Sequence, residues 1–327
     1  MNVVISVHNP FDLWNWPSWA AEQLQRDFPE LRVQHVAEPG GKDALLPEAE
    51  VLISNQLRPE QFARARRLRW IHSPAAAVHQ LLSPGLIASA VVVTNGREVH
   101  GWPVAEHALA MMLALSRALP AAVRGQMRRA WAQQEIWRRP DRPGELRGAT
   151  VVVVGLGAIG GNLARLLKAL GARVLGVRAH PERGGEGADE VHAPAALEAL
   201  LPRADYLVLA SPVTAETERL LDARRLALLP PHARLINVGR GSLVDEAALA
   251  AALREGRLRG AALDVFTREP LPRESPLWDL EQVLISPHLG SATEAMWARQ
   301  LEMVEENMRR FLRGEQLQYT VDKQLGY

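Results

Sequence analysis

Two periods alternate along this chain. Short runs of β-branched and aliphatic residues at 3–7, 32–36, 51–55, 69–73 and 91–95 predict strands, and 59–67 reads as a helix between two of them. Apolar residues then return at helical spacing from 103 to about 129, which predicts one long helix. A polar, proline-containing stretch, "RRPDRPGELRG", leads into a strand at 150–154. A second series of strands follows at 173–178, 206–210, 234–238, 261–265 and 283–286, and a helix from about 293 to 312 closes the chain. Strands alternating with helices argue for parallel sheets covered on both faces, so the expected fold class is α/β with two doubly wound parallel-sheet domains.

The stretch "VVVVGLGAIGGNLARLLKAL" adds chemistry to that pattern. Gly155, Gly157 and Gly160 fit G-x-G-x-x-G between an all-valine strand and a helix that opens on Ala158 and Ile159. The first glycine permits the tight turn, the second lets backbone approach a pyrophosphate, and the third lets helix and strand pack closely. An anion there would meet the free N–H groups at the positive end of the helix. The domain holding this turn is expected to be a dinucleotide-binding Rossmann fold over 99–288, with 1–98 and 289–327 forming the substrate domain.

Three later motifs each place a functional side chain just past a predicted strand: Arg240 in "INVGRGSLVDEAAL", Glu269 in "ALDVFTREPL" and His288 in "LISPHLGSAT". Loops at the C-terminal ends of parallel strands form the ligand crevice of such sheets. Arginine offers a planar fork of donors matched to a carboxylate and an adjacent carbonyl. Histidine can pass a proton to a carbonyl oxygen under reduction, and a carboxylate on its other ring nitrogen fixes its orientation. Hydride transfer itself belongs to a nicotinamide.

Composition narrows the class further. The 327 residues are 47% hydrophobic with a net charge of +1, enough for two buried cores and too balanced to call for a nucleic acid partner. Cysteine is absent, which excludes disulfides, thiolate catalysis and cysteine metal sites and fits a reducing, cytoplasmic location. The start "MNVVISVHNP" is too short and polar for a signal peptide. The most apolar helical stretch, 108–115, is about half the ~20 residues a membrane span needs. Neither a metal site nor a membrane is expected.

These motifs, with "VAEHALAMMLALSR" and "SPVTAET", resemble the D-isomer-specific 2-hydroxyacid dehydrogenase family, of the glyoxylate/hydroxypyruvate reductase kind, across nearly the whole chain. The resemblance implies reduction of small 2-oxo acids to D-2-hydroxy acids, with Arg240, Glu269 and His288 catalytic and Arg240 and His288 touching substrate. It implies cofactor contacts at the glycine turn, at Ser211 and Pro212, at Asn237, Val238 and Gly239, at Asp264 and at Gly290. The substrate carboxylate is then held by backbone N–H groups of "SPAAAVH", around Ala75 and Ala76, with Asn55 as a further contact. His100 is either on the substrate side or a solvated histidine. Relatives commonly carry glycine and aspartate in this loop, where this chain has three alanines and a histidine. Other readings are a phosphoglycerate or formate-type dehydrogenase, the formate branch carrying glutamine in place of Glu269, and a non-catalytic dinucleotide-sensing regulator. Relatives also pack the region of Trp131 and Trp137 against a second subunit, which implies a homodimer; core filling is the alternative for these tryptophans.

The cofactor choice turns on Arg178. An acid at the end of the second Rossmann strand holds the ribose hydroxyls of NAD and repels a 2′-phosphate. This chain has Arg178 there, with His180 and Arg183 close behind, so NADP is the expected preference and NAD remains usable. The alternative is a solvated Arg178 with Glu182 reaching the ribose.

Overall fold

The computed structural model describes residues 1–38 and 40–326. The chain divides into two compact units, Met1–His100 with Ala292–Tyr327, and Gly101–Ser291.

The first unit holds β1 (Asn2–Ile5), β2 (Arg32–His35), β3 (Val51–Ile53), β4 (Trp70–Ser73) and β5 (Val92–Asn95). All five are parallel, in the order β2-β1-β3-β4-β5. β1 and β3 read as unbroken apolar runs because both faces of a parallel sheet are covered. Val3, Ile5, Val51, Ile53 and Trp70 pack on one side with Leu24, Leu301, Val304 and Met308. Val4, Leu52 and Ile71 pack on the other with Leu46, Leu57 and Leu86. Each such side chain contributes about 1.5–3 kcal/mol on burial. The C-terminal helix Met296–Leu312 thus completes the core begun by the first hundred residues.

The second unit holds β6 (Thr150–Val154), β7 (Arg173–Val177), β8 (Glu190–His192), β9 (Tyr206–Leu209), β10 (Arg234–Asn237), β11 (Gly260–Leu263) and β12 (Val283–Ile285). The seven parallel strands run β12-β11-β10-β9-β6-β7-β8, so chain order reverses between β6 and β9. That reversal opens a crevice beyond the strand C-termini. Val151 and Val153 face a core with Met111, Met112, Leu163 and Leu167, while Val152 and Val154 face one with Leu249 and Leu253.

The expected long helix over 103–129 is instead two helices, Gly101–Ser116 and Leu119–Met127, bent by 69°. Ala118 turns the chain in the left-handed region at φ 53°, and Pro120 sits in the first turn of the second helix. Proline lacks the N–H that a continuing helix would need, so a new helix starts around it. The edge strand β8 was not foreseen: it is three residues long, half-buried and without apolar alternation. Trp131 and Trp137 are 90% and 59% exposed, so neither fills the core. No single described helix is long and apolar enough to cross a membrane.

Candidate active site

Within the second unit, the glycine turn sits at the reversal point. Gly155 has φ 96°, and a Cβ on it would stand 2.7 Å from the Ser211 backbone nitrogen, so only glycine lets the turn after β6 pass the end of β9. A Cβ on Gly160 would overlap the Gly155 carbonyl oxygen. Gly157, which precedes the helix Ala158–Ala169, meets nothing within 4 Å of its Cβ position. The first N–H groups of that helix, those of Ala158, Ile159 and Gly160, have no partners inside the helix. The Ser211 hydroxyl beside Pro212 is buried and has no partner among the described residues. An open glycine, free helical N–H groups and an orphaned buried hydroxyl at the ends of two neighbouring strands, β6 and β9, fit a dinucleotide.

Arg178 follows β7 and donates from Nη1 to the Gly184 carbonyl at 2.7 Å; it has no ion-pair partner among the described residues. His180 lies 3.3 Å from Glu182, and Arg183 is exposed.

Past β10, the Asn237 amide donates to the Arg240 carbonyl at 2.9 Å and its oxygen accepts from the Gly239 N–H at 3.1 Å. Val238 donates its N–H to the Leu209 carbonyl at 3.1 Å. These bonds shape the turn that presents Arg240, whose Nη1 donates to the Gly239 carbonyl at 2.7 Å. Burial pulls the Arg240 guanidinium below its ordinary value, opposed by the Glu269 charge.

Glu269 and His288 meet directly. His288 Nδ1 lies 2.6 Å from Glu269 Oε2, and Glu269 Oε1 accepts the Phe266 N–H at 2.9 Å. Burial would raise the Glu269 carboxyl, but the bonds from His288 and Phe266 outweigh it and hold it below the usual carboxylate value. His288 sits at φ 54°, a conformation uncommon outside glycine. The structure therefore gathers Arg240, Glu269 and His288 in one unit from three strand ends.

Asp264 is only 2% exposed and spends its oxygens internally. It accepts from the Ser286 hydroxyl at 2.6 Å and from the N–H groups of Leu289 and Gly290, each at 2.9 Å. His107 Nε2 lies 2.9 Å from the Ser286 hydroxyl and 3.3 Å from Asp264. Burial pushes the Asp264 carboxyl up, and His107, Ser286 and the two N–H groups together bring it below the ordinary value. Asp264 thus anchors the segment immediately after His288. In the sequence His107 is one polar residue in an apolar helical stretch and Ser286 ends a strand, so neither spacing marks the contact between them.

In the first unit, Asn55 follows β3, and its Oδ1 is buried without a partner among the described residues. Ala75 and Ala76 lie half-buried in the loop after β4. His100 is not a solvated histidine: it is 9% exposed, with Nε2 3.0 Å from the Pro74 carbonyl.

The profile of the D-isomer specific 2-hydroxyacid dehydrogenase NAD-binding domain matches residues 109–290. A D-3-phosphoglycerate dehydrogenase of Mycobacterium bovis is 37% identical over 278 residues, 83% of this chain and 51% of that protein. The chain therefore spans about half the length of that relative. A glyoxylate reductase of Pyrococcus furiosus is 35% identical over 272 residues, 81% of this chain and 79% of its own. Among solved structures, an NADPH-dependent glyoxylate/hydroxypyruvate reductase of Sinorhizobium meliloti in complex with NADP and sulfate superposes with a TM-score of 0.82. It is 30% identical, covering 100% of this chain and 99% of that one. With the glycine turn and the Arg240, Glu269 and His288 cluster in place, this chain belongs to the D-isomer specific 2-hydroxyacid dehydrogenase family.

Proposed function

We propose that this protein reduces small 2-oxo acids to D-2-hydroxy acids, with NADPH as the preferred cofactor. The contact between His288 and Glu269 carries the reading. Glu269 occupies one ring nitrogen, so Nε2 is the atom that gives the proton to the carbonyl oxygen. Arg240 binds the acid through its planar fork, a task lysine's point charge would perform poorly. In the first unit, N–H groups around Ala75 and Ala76 serve the carboxylate, with His100 beside that loop and Asn55 as a further contact. A nicotinamide held at the glycine turn would supply the hydride for the carbonyl carbon, and His288 would give the carbonyl oxygen its proton.

Gly155, Gly157, Ala158, Ile159, Gly160, Ser211, Pro212 and the backbone of Asn237, Val238, Gly239 and Gly290 hold the dinucleotide. Asp264 serves it indirectly, by fixing the Gly290 backbone. Arg178 supports the NADPH preference: no acid among the described residues neutralises it, and Arg183 stands close in sequence. Glu182, the acid that would otherwise reach the ribose, lies against His180. A 2′-phosphate would gain charge-assisted hydrogen bonds there.

The Mycobacterium bovis relative favours a second reading, oxidation of a phosphorylated 2-hydroxy acid by the same residues. A panel of glyoxylate, hydroxypyruvate, pyruvate, branched 2-oxo acids and phosphohydroxypyruvate, followed by NADPH oxidation, separates the two. Turnover confined to the phosphorylated substrate favours the second; turnover on none supports the non-catalytic regulator. We further propose a homodimer that covers the exposed Trp131 and Trp137. Light scattering that returns the monomer mass of 36.1 kDa contradicts it.

A further inference from the structure

The loop after β4 carries three successive alanines, and the first unit shows how it is held. Three successive carbonyls are each claimed by a side chain behind them. The Pro74 carbonyl accepts from Gln300 Nε2 at 2.6 Å and faces His100 Nε2 at 3.0 Å. The Ala75 carbonyl accepts from the Ser73 hydroxyl at 3.2 Å, and the Ala76 carbonyl from Asn95 Nδ2 at 2.7 Å. In a trans peptide the C=O and the following N–H point in opposite directions. Turning three carbonyls inward therefore turns the N–H groups of Ala75, Ala76 and Ala77 outward. None of these N–H groups has a protein acceptor among the described residues, and the three alanines are half-buried.

The longest pin is directional. Gln300 is 1% exposed on the helix Met296–Leu312. Its Oε1 lies 3.4 Å from His72 Nε2, and His72 Nδ1 lies 2.9 Å from the Thr94 hydroxyl, which also accepts from Trp70 Nε1 at 2.8 Å. Gln300 Oε1 can only accept, so the hydrogen of His72 is on Nε2 and its Nδ1 accepts from the Thr94 hydroxyl. That hydrogen faces Gln300 Oε1 and leaves Gln300 Nε2 for the Pro74 carbonyl. A Cβ on Gly96 would collide with both Gln300 and the Pro74 carbonyl, so glycine there makes room for the contact.

We propose that Gln300, Ser73 and Asn95 are positioning residues that turn the N–H groups of the 75–77 loop into a carboxylate-binding nest, with Gln300 oriented by His72. This deepens the reading above and rests on it. Successive N–H groups aimed at one point form an anion site without a charged side chain. The consequence is selectivity for the carboxylate of the substrate rather than for its carbonyl.

The test measures glyoxylate and its uncharged amide with wild type, Gln300→Met and Ser73→Ala. Gln300→Met is expected to raise KM for glyoxylate by about tenfold and Ser73→Ala by about threefold, the scale of one misplaced hydrogen bond. Efficiency with the amide and the Kd for NADPH are expected to stay at wild-type values in both variants. A general loss of structure would lower acid and amide alike. An unchanged KM for glyoxylate in the folded variants, or equal losses for acid and amide, overturns the proposal. If Gln300→Met does not fold, an unchanged KM in Ser73→Ala overturns it alone. A wild type that reduces no 2-oxo acid overturns the functional reading beneath it, which is a different result.

Discussion

His288 Nδ1 stands 2.6 Å from Glu269 Oε2, and the second oxygen of that carboxylate is held by the Phe266 N–H. The glutamate is therefore held by the backbone of its own loop as well as by the histidine. Its carboxyl is held below the ordinary carboxylate value, so it is ionised at neutral pH. Glu269→Gln keeps the shape and removes the charge. Turnover is expected to fall by roughly tenfold to a hundredfold, the scale of a disturbed acid–base group, with NADPH affinity unchanged. Wild-type turnover in this variant would show that the contact is not used in the reaction.

Arg178 sets the cofactor prediction. Its one described bond is to the Gly184 carbonyl, and no acid pairs with it among the described residues. Arg178→Asp should move the ratio of kcat/KM values from NADPH toward NADH by roughly a hundredfold or more, because a favourable contact becomes a repulsion. A wild type that already uses NADH more efficiently contradicts the assignment.

Stability should depend on pH through His72. Complete burial pushes this imidazole down from 6.5 to about 4, the Gln300 bond opposing the shift. As pH falls through 6.5 the unfolded chain takes up a proton that the folded one refuses until about pH 4. Stability is therefore lost across that window, by roughly 3 kcal/mol from this residue alone. Chemical denaturation of wild type and His72→Gln between these limits checks it. The variant curve should be shallower, and parallel curves would remove His72 from the account.

How much of this was legible depended on how local each signal is. The all-valine β6, the glycines after it and the helix that follows are contiguous, so pattern alone places the dinucleotide turn. Arg240, Glu269 and His288 were legible because each falls just past a strand that its own residues define. Gln300 and Pro74 are 226 positions apart, and His107 and Ser286 are 179 apart. No period or spacing joins such partners, because only tertiary packing brings them together. Pro120 did mark the break in the long helix, but the apolar periodicity runs across it and hides the turn at Ala118.

The central claim is that His288 delivers the proton in a nicotinamide-dependent reduction of a 2-oxo acid. Its most direct measurement is NADPH oxidation with glyoxylate or hydroxypyruvate by wild type and by His288→Ala, alongside cofactor affinity by fluorescence titration. The account predicts turnover by wild type, a loss of roughly a hundredfold or more in the variant, and equal NADPH affinity in both. Undiminished turnover by His288→Ala, or no wild-type turnover with any 2-oxo acid, would contradict it.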